Sequence, residues 1–117
     1  MAAAARVLVT GEGLVVADHV EEARSMLRRG LGLMFRRSLP AGHGLWIQPC
    51  SSIHMFFMRF AIDVAFVDGT GRVIRVYHAI KPWRISRIVF GARAAVELPA
   101  GTLAAASVDS GTVLRLT

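Results

Sequence analysis

The residues from Gly44 to Asp68, GLWIQPCSSIHMFFMRFAIDVAFVD, gather the side chains best able to do chemistry. They hold the only cysteine, one of four histidines and two of five methionines, together with an aspartate set in apolar sequence. Cys50, His54 and Met58 stand four apart. On a helix that spacing would put a thiol, an imidazole and a thioether on one face, a donor set for a soft metal such as Cu(I). On a strand it fails, because four extended residues span about 13 Å whereas metal ligands sit roughly 2.0–2.3 Å from the ion. Pro49 and the Phe56-Phe57 pair favour extended chain, so neither a metal nor any other cofactor is expected.

The same residues permit nucleophilic catalysis, with Cys50 attacking and His54 as its base, and with Arg36 or Arg59 lowering the thiol pKa. No glycine-rich oxyanion loop or strand-to-helix elbow surrounds the cysteine. A small buried hydrophobe is the commoner fate of such a residue, and His54 can be a core histidine bonded to backbone. Asp63 interrupts Ile62-Asp63-Val64-Ala65-Phe66-Val67, which otherwise reads apolar on both faces, so its carboxylate must be paired or hydrogen-bonded. Arg59, Lys81 and His54 are candidate partners, and pinning a loop through backbone N–H groups is the structural alternative. Glu97, between Val96 and Leu98, poses the same problem. Were Asp63 and Glu97 to face one cleft, they would form a carboxylate pair suited to acid–base work. Trp46, Trp83, Phe56 and Phe57 are candidate linings for that cleft, although tryptophans in a rich core often simply pack, and Trp46, Phe57, Met58 and Trp83 are the candidate walls of a binding pocket.

The elements that must position these groups are readable in part. Arg6–Thr10 and Leu14–Ala17 are short β-prone runs divided by Gly11-Glu12-Gly13. Asp18 followed by Glu21 resembles a capping box, and Val20, Ala23, Met26 and Leu27 recur with helical spacing, which predicts a helix over about 19–29 ended by Gly30 or Gly32. Leu45–Ile47 reads as a strand. Ile62–Val67 and Val73–His78 read as a hairpin closed by Asp68-Gly69-Thr70-Gly71. Residues 80–93 fit neither period. Ala95–Leu98 is a strand, Thr102–Ser107 a short helix, and Thr112–Leu116 a closing strand.

A chain of 117 residues with 54% hydrophobic and 19% charged residues is an ordered globular chain, expected to form a single domain over residues 1–117. The net charge of +6 attracts polyanions, yet no nucleic-acid module is visible, so charge alone leaves a nucleic-acid partner open without favouring it. One cysteine cannot form an intrachain disulfide, and no signal peptide or bilayer-length apolar run occurs. A cytoplasmic chain without a membrane partner is the expectation.

Four blocks carry a family resemblance: Gly32-Leu33-Met34-Phe35-Arg36, the run from Pro49 to Asp68, Lys81-Pro82-Trp83-Arg84, and Glu97-Leu98-Pro99-Ala100-Gly101. Together, in this order, they resemble the DUF192 family, whose name records no activity and which supplies no catalytic residue to carry over. The resemblance implies an α+β fold with a strongly curved, mostly antiparallel, barrel-like sheet and few helices, here one main helix and short helical turns. The functional expectation is a small-molecule-binding or interaction domain rather than an enzyme, with its pocket around residues 46–63. Its binding candidates are Arg36, Trp46, Cys50, His54, Phe57, Met58, Arg59, Asp63, Lys81, Trp83 and Glu97. A Cys50/His54 hydrolase or transferase and a basic polyanion binder are the alternatives.

Overall fold

β4 (Ile62–Val67) and β5 (Val73–Ile80) form the expected antiparallel hairpin, and the chemistry of its turn explains why. Asp68 Oδ1 accepts from the Thr70 amide (2.8 Å), the Thr70 hydroxyl (2.6 Å) and the Arg72 amide (3.0 Å), which closes the loop on itself. Gly71 has φ 88°, and a Cβ there would lie 2.5 Å from the Leu114 carbonyl oxygen, so only glycine fits.

The hairpin belongs to a seven-stranded sheet in a computed structural model that describes residues 6–117. The other elements are β1 (Arg6–Thr10), β2 (Val15–Ala23), α1 (Met26–Leu31), β3 (His43–Ile47), β6 (Ala94–Pro99), α2 (Thr102–Ala105) and β7 (Leu114–Leu116). The strand order is β5-β4-β6-β3-β2-β1-β7. The pairings are antiparallel except β2 with β3, whose parallel register sets His19 beside His43 and Ala23 beside Ile47. A parallel pair needs a long crossover, and residues 24–42 supply it with α1 inside. At the far edge β7 pairs with β1, Leu116 opposite Leu8, and the Thr117 amide donates to the Val7 carbonyl at 2.9 Å.

Two expectations need correction. The sheet is not a closed barrel: β5 and β7 approach only through an isolated bridge at Arg72 and Val113. Nor is there a main helix over 19–29, because residues 15–23 are strand and the helical turn begins only after Ser25, whose Oγ accepts from the Arg28 amide at 3.1 Å. The misreading has a physical origin. A register shift against β1 puts Ala17 and Val20 on one face of the sheet although they are three apart, and Ala23, in the regular stretch beside β3, is buried on the opposite face. These buried positions therefore repeat every three residues, as they would on a helix. The fold is a β-sheet with two short helices, not an α+β arrangement built on a helix.

Apolar clusters cover both faces of the sheet. One includes Leu8, Val20, Trp46, Val96, Leu98 and Leu103; the other includes Leu33, Leu45, Ile53, Met55, Val64 and Phe66. All six β4 residues are buried, as a strand covered on both faces requires. Phe66 is fully buried and stabilises the second cluster by about 1.5–3 kcal/mol. That cluster is roofed by the irregular segments between strands. Residues 50–55 run against 84–93, with Val89 N–H bonding the Ser51 carbonyl (2.8 Å), Ser86 N–H the Ile53 carbonyl (2.9 Å) and Met55 N–H the Arg84 carbonyl (2.7 Å).

Candidate functional site

Strand register decides which candidate residues can meet. Glu97 lies between Leu45 on β3 and Val64 on β4, both members of the second cluster. Asp63 sits opposite Leu98 and Trp46 opposite Val96, and these partners belong to the first cluster. Successive strand residues point to opposite faces. Asp63 and Glu97 therefore face away from one another through the sheet, and the acid–base pair does not form. Trp46 likewise lies across the sheet from Cys50 and His54, its indole N–H donating to Gln48 Oε1 at 2.8 Å.

Asp63 is the pin that its apolar surroundings demand. It is fully buried, and its carboxylate accepts three backbone N–H bonds: Ala79 to Oδ1 (2.8 Å), and Gly101 (3.0 Å) and Leu103 (3.1 Å) to Oδ2. Gly101 caps α2 but has no side chain to do so, and Asp63 supplies the missing acceptor from β4. One carboxylate thus ties the end of β5 and the β6–α2 turn to the sheet.

On the other face Cys50, His54, Met58 and Glu97 do come together. They line a recess of about 50 Å³ with Arg29, Gly32 and Leu33, and Arg29, Gly30, Ile47, Cys50 and Ser52 also line an open cleft of about 480 Å³ beside it. α1 brings Arg29, and its C-cap Gly32 has φ 49°; a Cβ there would stand 3.5 Å from Glu97 Oε1, so the glycine leaves the space before the acid open. β6 holds Glu97 at 4% exposure. Glu97 Oε1 and Arg29 Nε are buried without a hydrogen-bond partner among the described residues. Burial pushes the Glu97 carboxyl from 4.5 up to about 7, against the opposing pull of the Arg36 charge.

Cys50 follows a cis Gln48–Pro49 peptide bond. Its Sγ donates to the Ser52 carbonyl at 3.1 Å rather than to an imidazole. Burial raises the thiol above 9.0 and the Glu97 charge adds to this, while the Ser52 backbone and Arg29 oppose it. A thiol held protonated is a poor nucleophile. His54 Nδ1 accepts from the Phe56 amide at 3.2 Å, so its bond goes to backbone. Among the described residues, no three His, Cys, Asp or Glu side chains are grouped to hold a metal ion.

The remaining candidates lie outside the recess. Arg36 pairs with Glu21 at 3.1 Å, and Arg59 and Lys81 are exposed. Of the proposed walls only Met58 lines the recess; Phe57 and Trp83 project outward. Their rings are 5.0 Å apart, with Phe35 5.2 Å from Phe57, and Phe35, Phe57 and Trp83 all have left-handed backbone. That conformation is rare for bulky residues. Sequence reasoning missed Arg29 and Leu33. The signal lay in the Gly32 block, where a helix cap and an apolar run follow closely on Arg29.

Comparison with known proteins places the chain among close relatives. A family model, DUF192 (Uncharacterized ACR), matches residues 7–116. A UPF0127 protein of Pyrococcus horikoshii is 41% identical over 87 residues, covering 70% of this chain and 73% of its own. One from Pyrococcus furiosus is 34% identical over 105 residues, covering 86% and 88%. A solved protein of unknown function from Novosphingobium aromaticivorans superposes with a TM-score of 0.81 at 21% identity, over 94% of this chain and 82% of that one. A second, from Sinorhizobium meliloti 1021, whose name proposes a transcription regulator, gives 0.79 at 25% identity, over 99% and 96%. Matched by the family model over residues 7–116 and by relatives above 30% identity over 70% and 86% of its length, the chain belongs to the DUF192 family.

Proposed function

We propose that this protein binds a small molecule in the cleft over Cys50, with a polar end of the ligand entering the recess before Glu97. One observation carries the reading: a buried carboxyl oxygen and a buried guanidinium N–H lack partners, and both line the recess. Buried polar groups are almost always satisfied, and leaving one unmade costs about 1–3 kcal/mol, so a group that repays this cost belongs there. An acid held near 7 both donates and accepts at neutral pH, while Arg29 Nε only donates. The complementary ligand is a small molecule presenting a donor and an acceptor side by side, such as an amide or a hydroxy-carbonyl compound. The outer cleft falls within the roughly 300–1,000 Å³ of small-molecule sites.

The test is a proton–nitrogen NMR titration of the full chain with a panel of small amides and hydroxy-carbonyl compounds. A true ligand moves the amides of residues 29–33, 50–54 and 97 together and protects Cys50 from alkylation. Glu97→Gln weakens it by about tenfold, the equivalent of one lost buried hydrogen bond. A compound that binds Glu97→Gln as well as the native chain, or shifts other residues only, refutes the reading.

A further inference from the structure

α1 has apolar residues but buries none of them. Met26 and Leu27 are 82% and 72% exposed, whereas a surface helix ordinarily turns its apolar stripe inward. The anomaly extends across the roof of the second cluster. Of twelve large hydrophobic residues exposed among the described residues, ten lie in segments 24–42, 48–61 and 81–93, among them Trp83, Ile85, Ile88 and Phe90, the last 88% exposed. These three segments also carry ten of the chain's fourteen lysines and arginines and none of its eight carboxylates. Arg24 and Arg36 reach back to Glu22 and Glu21 of β2, but Arg28, Arg37, Arg59, Lys81, Arg84 and Arg87 are exposed.

Exposed apolar side chains interleaved with unopposed cations satisfy a surface that is at once oily and anionic. We propose that this roof docks onto an anionic phospholipid bilayer, its apolar side chains entering the interfacial region and its arginines meeting lipid phosphates. Other occupants fit less well. A second copy seated face to face would set two such cationic fields against each other. Single-stranded nucleic acid stacks successive bases on several free aromatic faces, yet Phe35, Phe57 and Trp83 pack on one another and Phe56 stacks on His54. Among the described residues Phe90 alone of the exposed rings lacks an aromatic neighbour, while Met26, Leu27, Ile85 and Ile88 offer no ring. No helix among the described residues is long and apolar enough to cross a membrane, and surface docking needs none. The inference does not rest on the Glu97 recess.

Vesicles of phosphatidylserine mixed equally with phosphatidylcholine test it against vesicles of phosphatidylcholine alone. The full chain should co-sediment with the mixed vesicles at low salt at least about tenfold more strongly, and salt should release it. Tryptophan emission should move to shorter wavelength on binding and should fail to do so in Trp83→Phe, since Trp46 is already buried. The double substitution Ile88→Ser with Phe90→Ser, at exposed positions, should weaken vesicle binding by about tenfold with the melting temperature unchanged, and Glu97→Gln should bind vesicles normally. Equal binding to both vesicle types, or none, overturns the proposal. So does a double variant that still binds, a self-association that the double variant abolishes, or low-salt binding of single-stranded RNA in place of vesicles.

Discussion

Replacing Glu97 with glutamine keeps the shape of the side chain and removes an acid that the fold buries at 4% exposure. Because burial raises its pKa from 4.5 to about 7, the folded chain holds this proton more tightly than the unfolded one. Its contribution to stability is therefore complete below about pH 4.5 and is lost as pH rises through about 7. Between about pH 5 and pH 8 the loss is about 2.5 kcal/mol, taking 1.36 kcal/mol for each tenfold change in proton binding. For a chain of 117 residues this lowers the melting temperature by about 10 °C. Urea unfolding of the native chain and Glu97→Gln across that range measures it, and subtracting the two curves removes titrations common to both, histidines included. The stability of the native chain relative to the variant should fall as pH rises across that range. Parallel curves would show that Glu97 ionises freely, and the account of its recess would go with them.

Asp63→Ala should destabilise the fold by about 3 kcal/mol, since it strands one buried and two part-buried N–H groups that now bond to its carboxylate. Asp63→Asn should fall between the two, and a cost below about 1 kcal/mol in Asp63→Ala would contradict the pinning role. Cys50 should react with iodoacetamide at neutral pH more slowly than a free thiol and faster in Glu97→Gln, because the Glu97 charge raises the thiol pKa. Faster alkylation than a free thiol in the native chain would instead favour the nucleophile reading.

Local chemistry made the hairpin legible, because an aspartate that accepts from amides two and four residues on and a glycine at positive φ are short-range turn signals. β3 and β6 were equally plain from their apolar runs. β2 was not, since a register shift together with burial on both faces gave it helical spacing, and Asp18 with Glu21 imitated a capping box. Which polar groups meet was hidden for a related reason. The face of a strand alternates residue by residue, so Asp63 and Glu97 could be assigned to opposite clusters only once the pairing of β4 with β6 was known. Asp63 could be read as a residue needing partners, but its acceptor sites serve amides 16, 38 and 40 positions away, a link no short pattern encodes. Arg29 escaped because a cation on a short helix ordinarily points to water.

The pairing of β1 with β7 sets residue 6 beside residue 117, where the Arg6 Nε donates to the Thr117 carbonyl at 2.8 Å. A short peptide can therefore splice these two positions, and the chain can be reopened elsewhere, as at the exposed Gly69-Thr70 turn, with every strand neighbour retained. The same adjacency makes the sheet portable. Grafted into a host loop, it would enter and leave through a gap of one hydrogen bond and leave the host's own ends undisturbed.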